Sequence, residues 1–236
     1  MKFLLVAHEV PEAEFEQALL EMVGDRSNLK MALIPTASDP IEWIPDAHDP
    51  KKANPRLVPE KQAKQEAWWN NYKKELEAKG WQVVIADLKE DPAVLKEKLA
   101  SVDVINVGGG DVNYLLEWAR KSKLETYLAE LLDRGVVYTG SSAGAMLPQP
   151  DIGFTWWEPG DPSDHVGLGI VDFITAGAPK NADGSLNVQQ VVDRKKHLQA
   201  HIDFPWKVYL LQDGQMLRVD GNMIEYLGQN AIKEPI

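Results

Sequence analysis

The sequence predicts one α/β domain built on a mostly parallel sheet with helices on both faces. Short apolar runs alternate with amphipathic segments through the first 147 residues, which is the signature of strands joined by crossover helices. The runs themselves are apolar almost throughout, as strands covered on both faces are. A length of 236 residues suits a single large domain spanning 1–236 and can bury a sizeable core.

Each element follows from its local pattern. "KFLLVA" reads as a buried strand, and "EAEFEQALLEMVG" as a helix with Phe15, Leu19, Leu20 and Val23 on one face and Gly24 as its stop. "KMALIPTA" is a second strand. The next stretch, 41–65, is rich in Pro, Lys and Asp; as an insertion loop it is long for a compact domain and is a lid candidate. "KQEAWWNNYKKELEAKG" is a helix ending at Gly80, where at least one of Trp68 and Trp69 belongs in the core. Then come the strand "WQVVIADL", the helix "PAVLKEKLAS" and the strand "VDVINVGGG". Two helices, "VNYLLEWARKS" and "LETYLAELLDRG", precede the strand "VVYTG". Beyond Leu147 the order loosens: a turn-rich stretch, the run "LGIVDFITA", and the helix "VQQVVDRKKHLQAH". "KVYLLQDGQMLRVDGNMIEYLG" reads as three strands turning at Asp213-Gly214 and Asp220-Gly221, an antiparallel hairpin region.

Composition narrows function. The net charge of −11 argues against nucleic acid as a partner. The absence of Cys rules out disulfides, thiolate metal sites and a Cys nucleophile. No stretch approaches the roughly 18 apolar residues of a membrane span, and the N-terminal run is too short for a signal-peptide core. The expectation is a cytoplasmic protein, monomer or homodimer, that acts on a small ligand and needs no cofactor and no metal.

Two glycine-rich strand ends carry the candidate chemistry. Gly140-Ser141-Ser142-Ala143-Gly144 fits G-x-S-x-G, the nucleophile elbow. There the nucleophile sits on a strained turn, its neighbours two positions away are small so that strand and helix can approach, and the next amide, Ala143, faces an incoming oxyanion. Gly108-Gly109-Gly110-Asp111 ends another strand. It reads as a plain tight turn, a phosphate loop without Walker spacing, or the second half of an oxyanion hole built from Gly109 and Gly110. A serine nucleophile needs a base. The five histidines are His8, His48, His165, His197 and His201. His165 follows Ser142 in a turn-rich segment with Glu158, Asp161 and Asp164, whereas His197 and His201 share a basic helix face with Arg194, Lys195 and Lys196. Trp156 and Trp157 lie between nucleophile and His165 and are candidates for lining a substrate pocket.

"KMALIPTASDP", "DVINVGGGDVNYLLEWARKSKL", "LLDRGVVYTGSSAGAML", "GLGIVDF" and "LRVDGNMIEYLG" together resemble the dipeptidase E/cyanophycinase family of serine peptidases over nearly the whole chain. The resemblance implies a three-layer class I glutamine amidotransferase-like (flavodoxin-like) fold with Ser in place of Cys. It implies Ser142 as nucleophile, Gly109 or Gly110 with Ala143 as oxyanion donors, Glu158 or Asp161 as the acid, and aspartyl peptides as substrates. One departure stands out: the position matching the family's histidine is Ala178. His165 is then the replacement best placed in the sequence, with His197 and His201 as alternatives. Without a replacement the chain is a catalytically impaired member that binds a peptide or metabolite in the inherited pocket.

Overall fold

The computed structural model describes residues 1–7, 9–24, 27–46, 53–154, 165–229 and 232–236. Its centre is a seven-stranded sheet. Five strands run parallel in the spatial order β1 (Lys2–Val6), β7 (Val137–Ser141), β6 (Val104–Val107), β2 (Lys30–Ile34) and β5 (Gln82–Ile85). Beyond β1 the sheet continues antiparallel through β10 (Met216–Asp220) to β11 (Met223–Leu227).

Alternation along each strand divides the core. Leu4, Val6, Met31, Leu33, Val104 and Val137 point to one face, where they meet α1 (Glu12–Val23) and α2 (Pro59–Ala78). Phe3, Leu5, Ile105 and Tyr138 point to the other, against α3 (Pro92–Leu99), α4 (Val112–Lys121) and α5 (Leu124–Asp133). This is the three-layer α/β architecture the sequence predicts, with strands apolar on both sides because both sides are buried.

Several details depart from the sequence reading. The described part of the 41–65 stretch carries regular structure. It holds the hairpin of β3 (Ile41–Pro45) and β4 (Ala53–Leu57), and its last residues belong to α2. That helix begins at Pro59, five residues before the apolar pattern suggests, because proline suits the first helical turn and the polar "PEKQA" can coil without burying anything. The indole N–H of Trp43 donates to Asp111 at 2.6 Å, so β3 is tied to the glycine turn. Asp213-Gly214 does not close a hairpin either. β9 (Lys207–Leu211) leaves the main sheet and pairs in parallel with β8 (Phe173–Gly177), while only Asp220-Gly221 joins two paired strands. β8, β9 and α7 (Val188–His201) enclose a separate apolar cluster of Phe154, Ile174, Ala178, Val191, Leu198 and Phe204 with Val208 and Leu210.

Candidate active site

Ser142 stands where β7 ends and the single turn α6 (Ala143–Met146) begins. Its backbone has φ 49° and ψ −112°, and it is one of three non-glycine residues with positive φ among the described residues. Such a conformation costs about 1–3 kcal/mol and survives only where the surroundings fix it. They do so here on every side. The Ser142 amide donates to Val6 O at 2.8 Å, and its carbonyl accepts from Ala145 at 2.9 Å and Met146 at 3.1 Å. The buried Tyr138 hydroxyl donates to Gly144 O at 2.7 Å and ties strand to turn.

The flanking glycines are a steric requirement. A Cβ on Gly140 would lie 2.3 Å from Gly144 O, and one on Gly144 would lie 2.2 Å from Val107 O. Neither gap admits a methyl group, so only glycine lets strand and turn approach this closely. The side chain of Ser142 itself faces outward and is exposed.

The second glycine turn lies directly beside it. A Cβ on Gly109 would fall 3.1 Å from Ser142 Cβ. Gly110 has φ 143° and packs against Ala37 O, where a Cβ would be 1.9 Å away. The amides of Gly108 and Asp111 are taken by Ile34 O at 3.0 Å and Ala37 O at 2.8 Å. Asp111 also caps α4 by accepting from Tyr114 N at 2.8 Å. Among the described residues no acceptor takes the amides of Gly109, Gly110 or Ala143.

A cavity of about 180 Å³ opens at Ser142, lined by Ala7, Met146, Gln149, Phe154, Thr175 and Gly177 among others. No histidine lines it among the described residues. Gln149 is wholly buried and holds β8 in place, donating to Ala145 O at 3.2 Å and Thr175 O at 3.1 Å. Next to it, and sharing Phe154, Ala176 and Gly177, is a second cavity of about 360 Å³ that His197 and Arg194 line. Arg194 is half-buried, and its Nε donates to Phe154 O at 2.8 Å.

His165 is 6% exposed, and its ring packs on Gly153. It does not line the Ser142 cavity. Asp151 lies near it, accepting from Gly153 N at 2.8 Å. Burial raises the Asp151 carboxyl above its ordinary pKa, against the pull of that amide and of the His165 and Arg194 charges. Ala178 is buried in the apolar cluster behind β8, and its amide donates to Leu211 O at 2.9 Å. The rings of His197 and His201 lie tilted against each other with centroids 4.6 Å apart. Among the described residues no group of three metal-ligating side chains occurs, and no helix is long and apolar enough to cross a membrane. Glu158, Asp161, Trp156 and Trp157 lie outside the described residues.

The sequence reading did not foresee that Asn106 and Thr139 line a cavity on the α1/α2 face or that Arg194 lines the one beside the Ser142 cavity. The first two were marked in the sequence as polar residues inside otherwise apolar strands. Arg194 was masked by its basic neighbours, which made it look like part of a solvated helix face.

A serine with positive φ between a sheet edge and a helix, set against a glycine turn with open amides, has the geometry of a nucleophile elbow on a flavodoxin-like α/β fold. The chain belongs to peptidase family S51, the dipeptidase E family, whose model matches residues 5–227. An uncharacterized peptidase of Pasteurella multocida (strain Pm70) is 27% identical over 106 residues, covering 43% of this chain. The chain spans about half the length of that relative, 51%. Two solved structures share the fold. A protein assigned as a peptidase E from Listeria monocytogenes EGD-e matches with TM-score 0.64 and 19% identity, covering 97% of this chain and 98% of that one. A peptidase from an acI-B1 Actinobacterium matches with TM-score 0.66 and 16% identity, covering 100% and 93%.

Proposed function

We propose that the protein is a serine peptidase of the dipeptidase E type, in which Ser142 attacks the carbonyl of a short aspartyl peptide. The observation that carries this is the backbone of Ser142: a positive φ on an exposed, non-glycine residue, fixed by three hydrogen bonds at the sheet edge. Strain of this kind is worth keeping where it presents a reacting atom.

In this reading Ser142 Oγ bonds to the peptide carbonyl carbon as its proton passes to an imidazole. The oxyanion is met by the open amides of Gly109 or Gly110 and Ala143. Collapse breaks the C–N bond, and the imidazolium returns the proton to the leaving amine. Water, deprotonated by the same imidazole, then hydrolyses the acyl-enzyme. The reading favours His197 over His165 as base, because His197 lines a cavity that adjoins the Ser142 cavity and shares three residues with it. Arg194, in the same cavity, is a cation suited to an aspartyl carboxylate. Ala178→His is a poor restoration, since it drives an imidazole into an apolar cluster.

A second reading has its own support. No histidine lines the Ser142 cavity among the described residues, which suits a member that binds a peptide without cleaving it. A serine-directed fluorophosphonate separates the two. The peptidase reading expects labelling that Ser142→Ala abolishes and His197→Ala reduces by at least about 100-fold, with Asp-X dipeptides cleaved in parallel. Loss in His165→Ala instead moves the base to the Asp151 side. No labelling of the wild type leaves the binding reading.

A further inference from the structure

On the α1/α2 face of the sheet, across the elbow from the Ser142 cavity, lies a larger cavity of about 560 Å³. Its inner end is the same two glycine strand ends, through Gly109, Gly140 and Ser141. Its walls are Phe15, Trp68, Trp69 and Tyr72, and its rim carries Glu9 and Glu12.

The aromatic wall is rigid. Trp69 is 6% exposed and donates from its indole N–H to Ser38 Oγ at 2.7 Å. Tyr72 and Asn106 line the same cavity, and burial raises the pKa of the Tyr72 phenol above its ordinary value. Trp68 stacks on Tyr72 with centroids 5.6 Å apart and an interplanar angle of 25°, and meets Trp69 edge-on at 4.8 Å. Yet Trp68 is 55% exposed, so a large indole held in place leaves most of its surface open.

The electrostatics have one sign. Among the described residues no Lys, Arg or His lines this cavity. Glu12 is paired with Lys79 at 2.5 Å, whereas Glu9 has no ion-pair partner among the described residues. A carboxylate guest would meet the like charge of Glu9, and the nearby cation, Lys79, is already held by Glu12 and Glu16. An ammonium would meet Glu9 together with the Trp68 and Tyr72 rings that line the cavity, a combination that favours cations.

We propose that this cavity binds an aromatic ammonium portion of the peptide ligand and excludes carboxylates, with Trp68 and Glu9 setting the preference. Its part in substrate choice rests on the reading of Ser142 as the reacting atom; the binding itself does not. With Arg194 lining the cavity on one side of the elbow and Glu9 that on the other, the two cavities draw ligand groups of opposite charge to opposite sides.

The test uses the full chain carrying Ser142→Ala, which cannot turn over. Tyramine, 4-ethylphenol and 4-hydroxyphenylpropionate are titrated by calorimetry and tryptophan fluorescence; they share a phenol ring and differ in charge. The expected order is cation tightest, anion weakest. Trp68→Ala should weaken tyramine by at least about fivefold. Glu9→Gln should remove the advantage of tyramine over 4-ethylphenol and leave 4-ethylphenol unchanged. Both side chains are exposed, so folding is preserved, and unchanged thermal melts check this. Equal binding of the three probes, no binding at all, or no effect of either variant overturns the proposal. Fluorophosphonate labelling of the wild type is scored separately. Labelling without a charge preference sinks the cavity assignment alone, whereas charge preference without labelling sinks only the peptidase reading.

Discussion

Replacing Gly144 by Ala tests whether close backbone approach builds the elbow. The new Cβ would lie 2.2 Å from Val107 O, 2.8 Å from Val107 C and 3.1 Å from Gly108 O. All three are backbone atoms where β6 ends and the glycine turn begins, and they cannot swing aside as a side-chain tip can. Overpacking of this kind costs typically about 1–3 kcal/mol, and an immovable neighbour puts the cost near the upper end. If α6 moves away to relieve the clash, the Tyr138–Gly144 hydrogen bond stretches, for about 1 kcal/mol more. In a domain of this size each kcal/mol lowers the melting temperature by about 2–4 °C, so a total near 3–4 kcal/mol predicts a fall of about 6–16 °C. Circular dichroism melts measure it, and fluorophosphonate labelling reports whether Ser142 has shifted. A variant that melts within about 2 °C of the wild type and labels equally would refute the steric account of the G-x-S-x-G spacing.

Three further outcomes follow from the same geometry. Ser142→Gly should melt no lower than the wild type. Relief of about 1–3 kcal/mol of strain offsets the extra chain entropy of glycine, about 0.5–1 kcal/mol, so a clear fall in melting temperature would mean the positive φ carries no strain. Tyr138→Phe should cost about 1–3 kcal/mol in urea unfolding, because it leaves the Gly144 carbonyl short of a buried partner; a cost near zero would count against the tie between strand and turn. Asp151 has a folded pKa above its unfolded one, so the folded state holds the proton more tightly. Its contribution is therefore complete below the ordinary carboxylate range and lost as pH rises through the raised value. Asp151→Asn should gain on the wild type across that window in urea titrations at stepped pH, and parallel curves would contradict it.

Much of the molecule is written locally. The elbow is encoded in five consecutive residues because its determinants are local: a strand that must end, a turn that needs small neighbours, a serine between them. The parallel strands are legible because burial on both faces removes polar residues from them, and for the same reason Asn106 and Thr139 stand out within them. The hairpin at Asp220-Gly221 is legible because its two strands pair with each other. An equally good turn at Asp213-Gly214 misleads, because the pairing of β9 is decided by β8, more than thirty residues upstream, whose apolar face it shares with α7.

The tertiary structure alone decides what surrounds the serine. The Ser142 cavity joins Ala7, Gln149 and Thr175, and the aromatic cavity joins Glu9, Trp68 and Ser141. No sequence spacing specifies such neighbours, since they meet only when sheet order and helix placement are fixed. Whether a histidine reaches the elbow is a question of the same kind. A local motif can set the angle of one side chain, but a base, a charge wall and a cavity are distances between remote segments, and packing sets those.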